Sequence, residues 1–121
     1  MLKREYLELQ KEKVLSSMKI RKSLELIESI NSIEGNNAIK AKVIHYLSLY
    51  IKGVLDNAQY DRVHVMRDGD LSAYFALRND MMTLVVRQED NITFHWYYSD
   101  PSEILAKMGT LLSMGEVKHT L

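Results

Sequence analysis

His64 and His95, together with Tyr74, Arg78, Arg87 and Tyr97, are the residues of this chain whose types and spacing could do chemistry. A pair of imidazoles is the raw material of a metal site or a general base, whereas tyrosines interleaved with arginines suit stacking, anion contact or a protein interface. The alternating pattern around them sets His64 and His95 on the first and fourth strands of a meander. At about 4.8 Å per strand step they stand roughly 14 Å apart, too far for one metal, whose ligating nitrogens lie at about 2.1 Å. No carboxylate shares their face to orient either ring as a base. His45 has no ligand partner spaced along its own helix, and His119 falls in the tail.

No other constellation takes their place. The chain has no nucleophile elbow, no glycine loop for phosphates, no cysteine and no His/carboxylate metal spacing. The expectation is therefore a non-catalytic protein with no cofactor and no metal. The absence of Cys excludes disulfides and thiolate sites and fits a reducing compartment. No apolar run approaches the roughly 18 residues of a membrane span, and charged residues follow the N-terminal Met1-Leu2, so a cytoplasmic protein is expected.

The elements that must position these residues follow from hydropathy patterning. With 121 residues, 46% hydrophobic and 26% charged, the chain has the size and apolar content of one domain spanning 1–121. Residues 1–57 predict an αα-hairpin. Its first helix, 3 to about 33, carries a partial stripe of Leu2, Tyr6, Leu9, Ile20, Leu24, Ile27 and Ile30, which falters at Lys13, Ser16 and Ser17. A bend or fray is expected there, with an overhang of about a third beyond the second helix if it is unbroken. Gly35 is the expected stop and Asn36 or Asn37 the next cap. The second helix, about 38–56, buries Ile39, Val43, Tyr46, Leu47, Tyr50 and Val54.

Residues 62–98 predict a four-stranded antiparallel meander, punctuated at Asp68-Gly69, Asn79-Asp80 and Asp90-Asn91. Matching side-chain parity across a three-residue first loop, a two-residue second and a three-residue third sets Val65 by Leu71, Val63 by Ala73, Leu77 by Met82, Phe75 by Leu84, Val86 by Phe94 and Leu84 by Trp96. That register places Phe94, Trp96 and Tyr98 in the core. The other face then holds His64, Met66, Tyr74, Arg78, Arg87, His95 and Tyr97 with no Lys, Asp or Glu, a composition of interfaces. A C-terminal helix over 100–114 starts at Asp100-Pro101, with Asp100 as cap, and 115–121 is expected to be a loose tail. The fold class is α+β, in the order ααββββα.

Charge narrows the function. Sixteen basic and sixteen acidic residues cancel, yet residues 1–22 hold seven basic against three acidic, a net +4 that leaves −4 elsewhere. A solvated helix face accounts for this pattern, since the charges interleave at helical spacing. A nucleic-acid-binding or regulatory protein using this helix and the Tyr/Arg face ranks second, because a phosphate-binding domain should read basic overall. The leading expectation is a protein-binding module whose sheet face, led by Tyr74, His95 and Tyr97, meets a protein partner, or a second copy in a homodimer. In size, lack of cofactor motif and lack of Cys, the chain resembles the small immunity proteins and antitoxins of bacterial toxin systems. That resemblance implies a cognate toxin as partner. Inhibitors of basic nucleases are commonly acidic, so a neutral chain would recognise such a partner by shape.

Overall fold

The computed structural model describes residues 3–89 and 92–114. Their order is α1 (Lys3–Ser32), α2 (Asn37–Asp56), β1 (Arg62–Asp68), β2 (Leu71–Arg78), β3 (Met81–Gln88), β4 (Thr93–Tyr97) and α3 (Pro101–Met114). The strands form one antiparallel sheet in the order β1-β2-β3-β4. This is the expected ααββββα arrangement. The tail at 115–121, with His119, Leu2 and the Asp90-Asn91 step all lie outside the described residues.

Local chemistry sets the helix boundaries. The Asn36 side chain accepts from the Ala38 and Ile39 N–H groups at 2.8 and 3.3 Å, so it caps α2. Asp100 does the same for α3, taking the Ser102 N–H at 3.0 Å ahead of Pro101 in the first turn. At the other end of α2 the Asn57 N–H returns to Gly53 O at 2.8 Å.

The predicted face of α2 is buried or packed on the core throughout, and Ile104, Met108 and Leu111 of α3 join it. A Cβ on Gly109 would come within 3.1 Å of Ile39 Cδ1, so glycine marks a close helix approach. In α1 the buried positions are Lys19, Ser23, Leu26 and Ile30; of the expected stripe Ile30 is buried, Ile20 and Ile27 pack against the core from its margin, and Leu24 is 49% exposed. Two polar residues can occupy this seam because both are hydrogen-bonded. Ser23 Oγ donates to Lys19 O at 2.7 Å, and Lys19 Nζ donates to Tyr60 O at 2.7 Å and Ala58 O at 3.5 Å.

The expected bend in α1 does not occur. The helix runs unbroken for 30 residues, about 45 Å at 1.5 Å per residue. None of its side chains before Lys19 is buried, so the first half projects with Tyr6, Leu7 and Val14 exposed.

All three helices pack on one side of the sheet. α2 lies against β1 and β2, α1 against β3, and α3 against the other two helices. A single core cluster joins helix residues to Val63, Val65, Met66, Ala73, Phe75, Met82, Leu84 and Val86.

The central hairpin has the expected register, Leu77 opposite Met82 and Phe75 opposite Leu84, with Asn79 and Asp80 at φ 50° and 61° in a two-residue turn. The outer hairpins differ. In the first, the loop is Gly69-Asp70 with Asp68 opposite Leu71, and a bulge at Val65 lets Val63 pair with Phe75 and Met66 with Ala73. The extra residue turns Met66 into the core instead of the opposite face. In the third, Ile92 at φ 49° lengthens the loop to four residues, so Val86 pairs with His95, Val85 with Trp96 and Leu84 with Tyr97. A one-residue slip exchanges the two faces of β4.

Candidate functional site

The sheet face away from the helices is built in cross-strand rows. One row runs His64, Tyr74, Val85, Trp96, and the next runs Arg67, Ser72, Arg87, Phe94. Arg62, Ala76 and Thr83 form a third, and Arg78 pairs with Met81. No described helix lies over it. The face supplies its own cover instead: Tyr74, Ala76 and Val85 make a small buried cluster separate from the core, roofed by longer side chains of neighbouring strands. Buried Thr83 is satisfied by donating to Ala76 O at 3.0 Å.

The roof is made of arginines over rings. The Arg62 guanidinium lies 4.9 Å from the Tyr74 ring centre, Arg78 5.1 Å from Trp96 and Arg87 5.3 Å from Phe94. Each is a cation–π distance, and each keeps a charge at the surface while its stem covers apolar area. Trp96 and Phe94 remain 39% and 44% exposed. The outward positions of the strands carry no Lys, Asp or Glu; carboxylates stand only at the margin, where Asp61 binds Arg62 at 3.1 Å and Glu89 lies 3.7 Å from Arg87. Arg62 holds the Asp61 carboxyl below its usual range by hydrogen bonding. Burial, then the charges of Arg62 and Arg67, push the His64 imidazole below its ordinary value.

Of the six residues expected on this face, His64, Tyr74, Arg78 and Arg87 are brought together there. His95 and Tyr97 are not. The register of β4 turns both toward the helix side, where Lys107 of α3 sits 5.6 Å from the Tyr97 ring centre and Tyr97 packs against the core. His64 and His95 consequently occupy opposite faces, and among the described residues no cluster of three or more His, Asp or Glu is placed to hold a metal.

Trp96, Phe94, Arg62 and Arg67 belong to the site and escaped the sequence reading. Their signals were the adjacent apolar pair Val65-Met66, which breaks the alternation as a bulge does, and a turn that accommodates Ile92 as a fourth loop residue. No described helix is long and apolar enough to cross a membrane. No family model, no curated protein and no solved structure matches this chain.

Proposed function

We propose that this chain is a non-catalytic protein-binding module that docks an acidic surface of a partner protein onto its open sheet face. The observation that carries this reading is the set of exposed rings, Trp96 and Phe94, each held beside an arginine on a face free of Lys, Asp and Glu. Trp, Tyr and Arg dominate interface hot spots because they combine large area with directional polar contact. Charge complementarity selects the partner, since Arg67 and Arg78 make no ion pair with a described residue, and such guanidiniums favour carboxylates and repel basic surfaces. Within this class, neutralisation of a cognate toxin by a small inhibitor, immunity protein or antitoxin is the form we favour, acting in the cytoplasm.

Affinity capture with the intact chain, from nuclease-treated and untreated lysate of its own host, tests the reading. One stoichiometric protein that survives nuclease, is lost with Trp96→Ala and dissociates as salt rises supports it; growth rescue on co-expression with that protein identifies a toxin. Nucleic acid as the sole captured species overturns it. That second outcome has its own physical rationale, because rings and arginines on a four-stranded sheet also suit unpaired bases.

A further inference from the structure

At the Gly69 end of the open face is a pocket of about 160 Å³ whose lining includes Arg62, His64, Arg67, Arg87, Asp70 and Glu89. We infer that it is a carboxylate-binding site, filled by an Asp or Glu side chain of the partner. The identity of the ligand's carrier rests on the reading above; the site itself stands on its own geometry.

Three arginines line this pocket, and their guanidiniums are unequally engaged. Arg62 gives its Nε and Nη2 to Asp61 at 3.3 and 3.1 Å, and Arg87 reaches Glu89 through Nη2 at 3.7 Å. Arg67 makes no ion pair with a described residue. Two further polar atoms of the lining, His64 Nδ1 and Arg87 Nε, are buried with no hydrogen-bond partner. Buried groups of this kind are rare in native proteins unless something fills the space beside them. Arg67 and Arg87 offer N–H donors to an acceptor oxygen, and His64 offers a third when its Nδ1 carries a proton.

Charge and size choose the ligand. Arg62 is held by Asp61 and Arg87 lies near Glu89, so Arg67 is the guanidinium left to pair, which one carboxylate neutralises and a phosphate-class dianion would overshoot. A planar fork also matches a carboxylate in two parallel hydrogen bonds. A bound carboxylate offsets the two arginine charges that oppose protonation of His64, so binding should raise the imidazole's proton affinity.

The test follows the imidazole and guanidinium NMR resonances of the full chain during titration with sodium acetate, against sodium chloride at equal ionic strength. The expected result is a saturable shift at His64 and Arg87 in acetate alone, weakened about tenfold or more by Arg67→Met and unchanged by Arg21→Met on α1. Shifts equal in chloride, or unaffected by Arg67→Met, overturn the site, as water then suffices to fill it. Tighter saturation by sulfate than by acetate overturns the carboxylate assignment. Captured partner that depends on Trp96 while acetate fails to bind sinks the pocket alone. Acetate binding without any captured acidic protein sinks the partner reading alone.

Discussion

Arg78 and Trp96 meet across the open face, guanidinium to ring centre at 5.1 Å, although one stands on β2 and the other on β4. Val85 lies between their strands at 0% exposure, so this contact also closes the small outer cluster over β3. Arg78 is further tied to Tyr74 through a 3.4 Å hydrogen bond to its hydroxyl. The two sides of β4 therefore make opposite demands on adjacent residues.

Trp96→Ala should cost partner binding about tenfold or more, the scale of an aromatic hot spot, while lowering folding stability by about 1 kcal/mol, because the ring helps close the outer cluster yet is 39% exposed. Tyr97→Asp should do the reverse. It places a carboxylate against the core seam beside Leu84, and a loss of about 2 kcal/mol is expected. Chemical denaturation and affinity measured on both variants check the contrast; equal destabilisation by the two would contradict the register of β4.

The elements were legible because they depend on local patterns. The α2 stripe, the Asp100-Pro101 cap and the Asn79-Asp80 turn each carry their own period or backbone preference, and all three form as read. The β4 face was not legible for a local reason. A three-residue loop ending at Asn91 is the economical parse, whereas the chain uses Ile92 in a left-handed conformation that β-branched residues rarely adopt. One residue then exchanged Trp96 and Phe94 for His95 and Tyr97 on the open face. Likewise the apolar stripe read for α1 passes over Lys19 and Ser23, because the burial of Lys19 depends on a carbonyl as distant as Tyr60 and that of Ser23 on the Lys19 carbonyl.

Lys19 pins the long first helix to the segment entering β1. Burial lowers its ammonium's pKa from the ordinary value, with Asp61 opposing, yet the 2.7 Å bond to Tyr60 O keeps it there. Lys19→Met preserves the stem and leaves that carbonyl without its donor, so a loss of about 1–2 kcal/mol is expected. Hydrogen exchange should rise around Ala58 to Tyr60, and a denaturation midpoint equal to the parent's would refute the pin.

His64 makes stability pH-dependent. Its pKa is lowered in the folded protein, by burial first and then by Arg62 and Arg67. Below the ordinary value of 6.5 the unfolded chain takes up this proton before the folded one does. Stability should thus fall as pH drops from about 6.5 toward the folded pKa, then level for this group. His64→Gln should flatten that part of the profile, which denaturant midpoints between pH 7.5 and 5 would reveal.

Gly53 lies where the Tyr60 ring rests on α2, and a Cβ there would overlap the ring carbons Cε1, Cδ1 and Cζ. Alanine usually improves a helix interior by about 1 kcal/mol over glycine. Here Gly53→Ala should instead destabilise by about 1–2 kcal/mol through overpacking, shifting the tilted Tyr50–Tyr60 pair, now 5.8 Å apart between ring centres. A raised melting temperature in Gly53→Ala would show that the ring yields freely.

Ile92 holds the register that builds the open face, and it does so at a conformational cost. Its φ of 49° crowds a β-branched side chain that is itself 77% exposed, so little packing offsets the strain. The Ile92 N–H to Glu89 O bond at 3.1 Å belongs to the turn backbone and survives any side chain except proline. Ile92→Asn, which tolerates the left-handed region, should stabilise the protein by about 1 kcal/mol and leave Trp96 accessible to quenchers. Ile92→Pro should break the turn bond and disturb the β3–β4 pairing. A tryptophan that becomes protected in Ile92→Asn would mean that β4 slips by one residue once isoleucine is removed, turning Trp96 into the core.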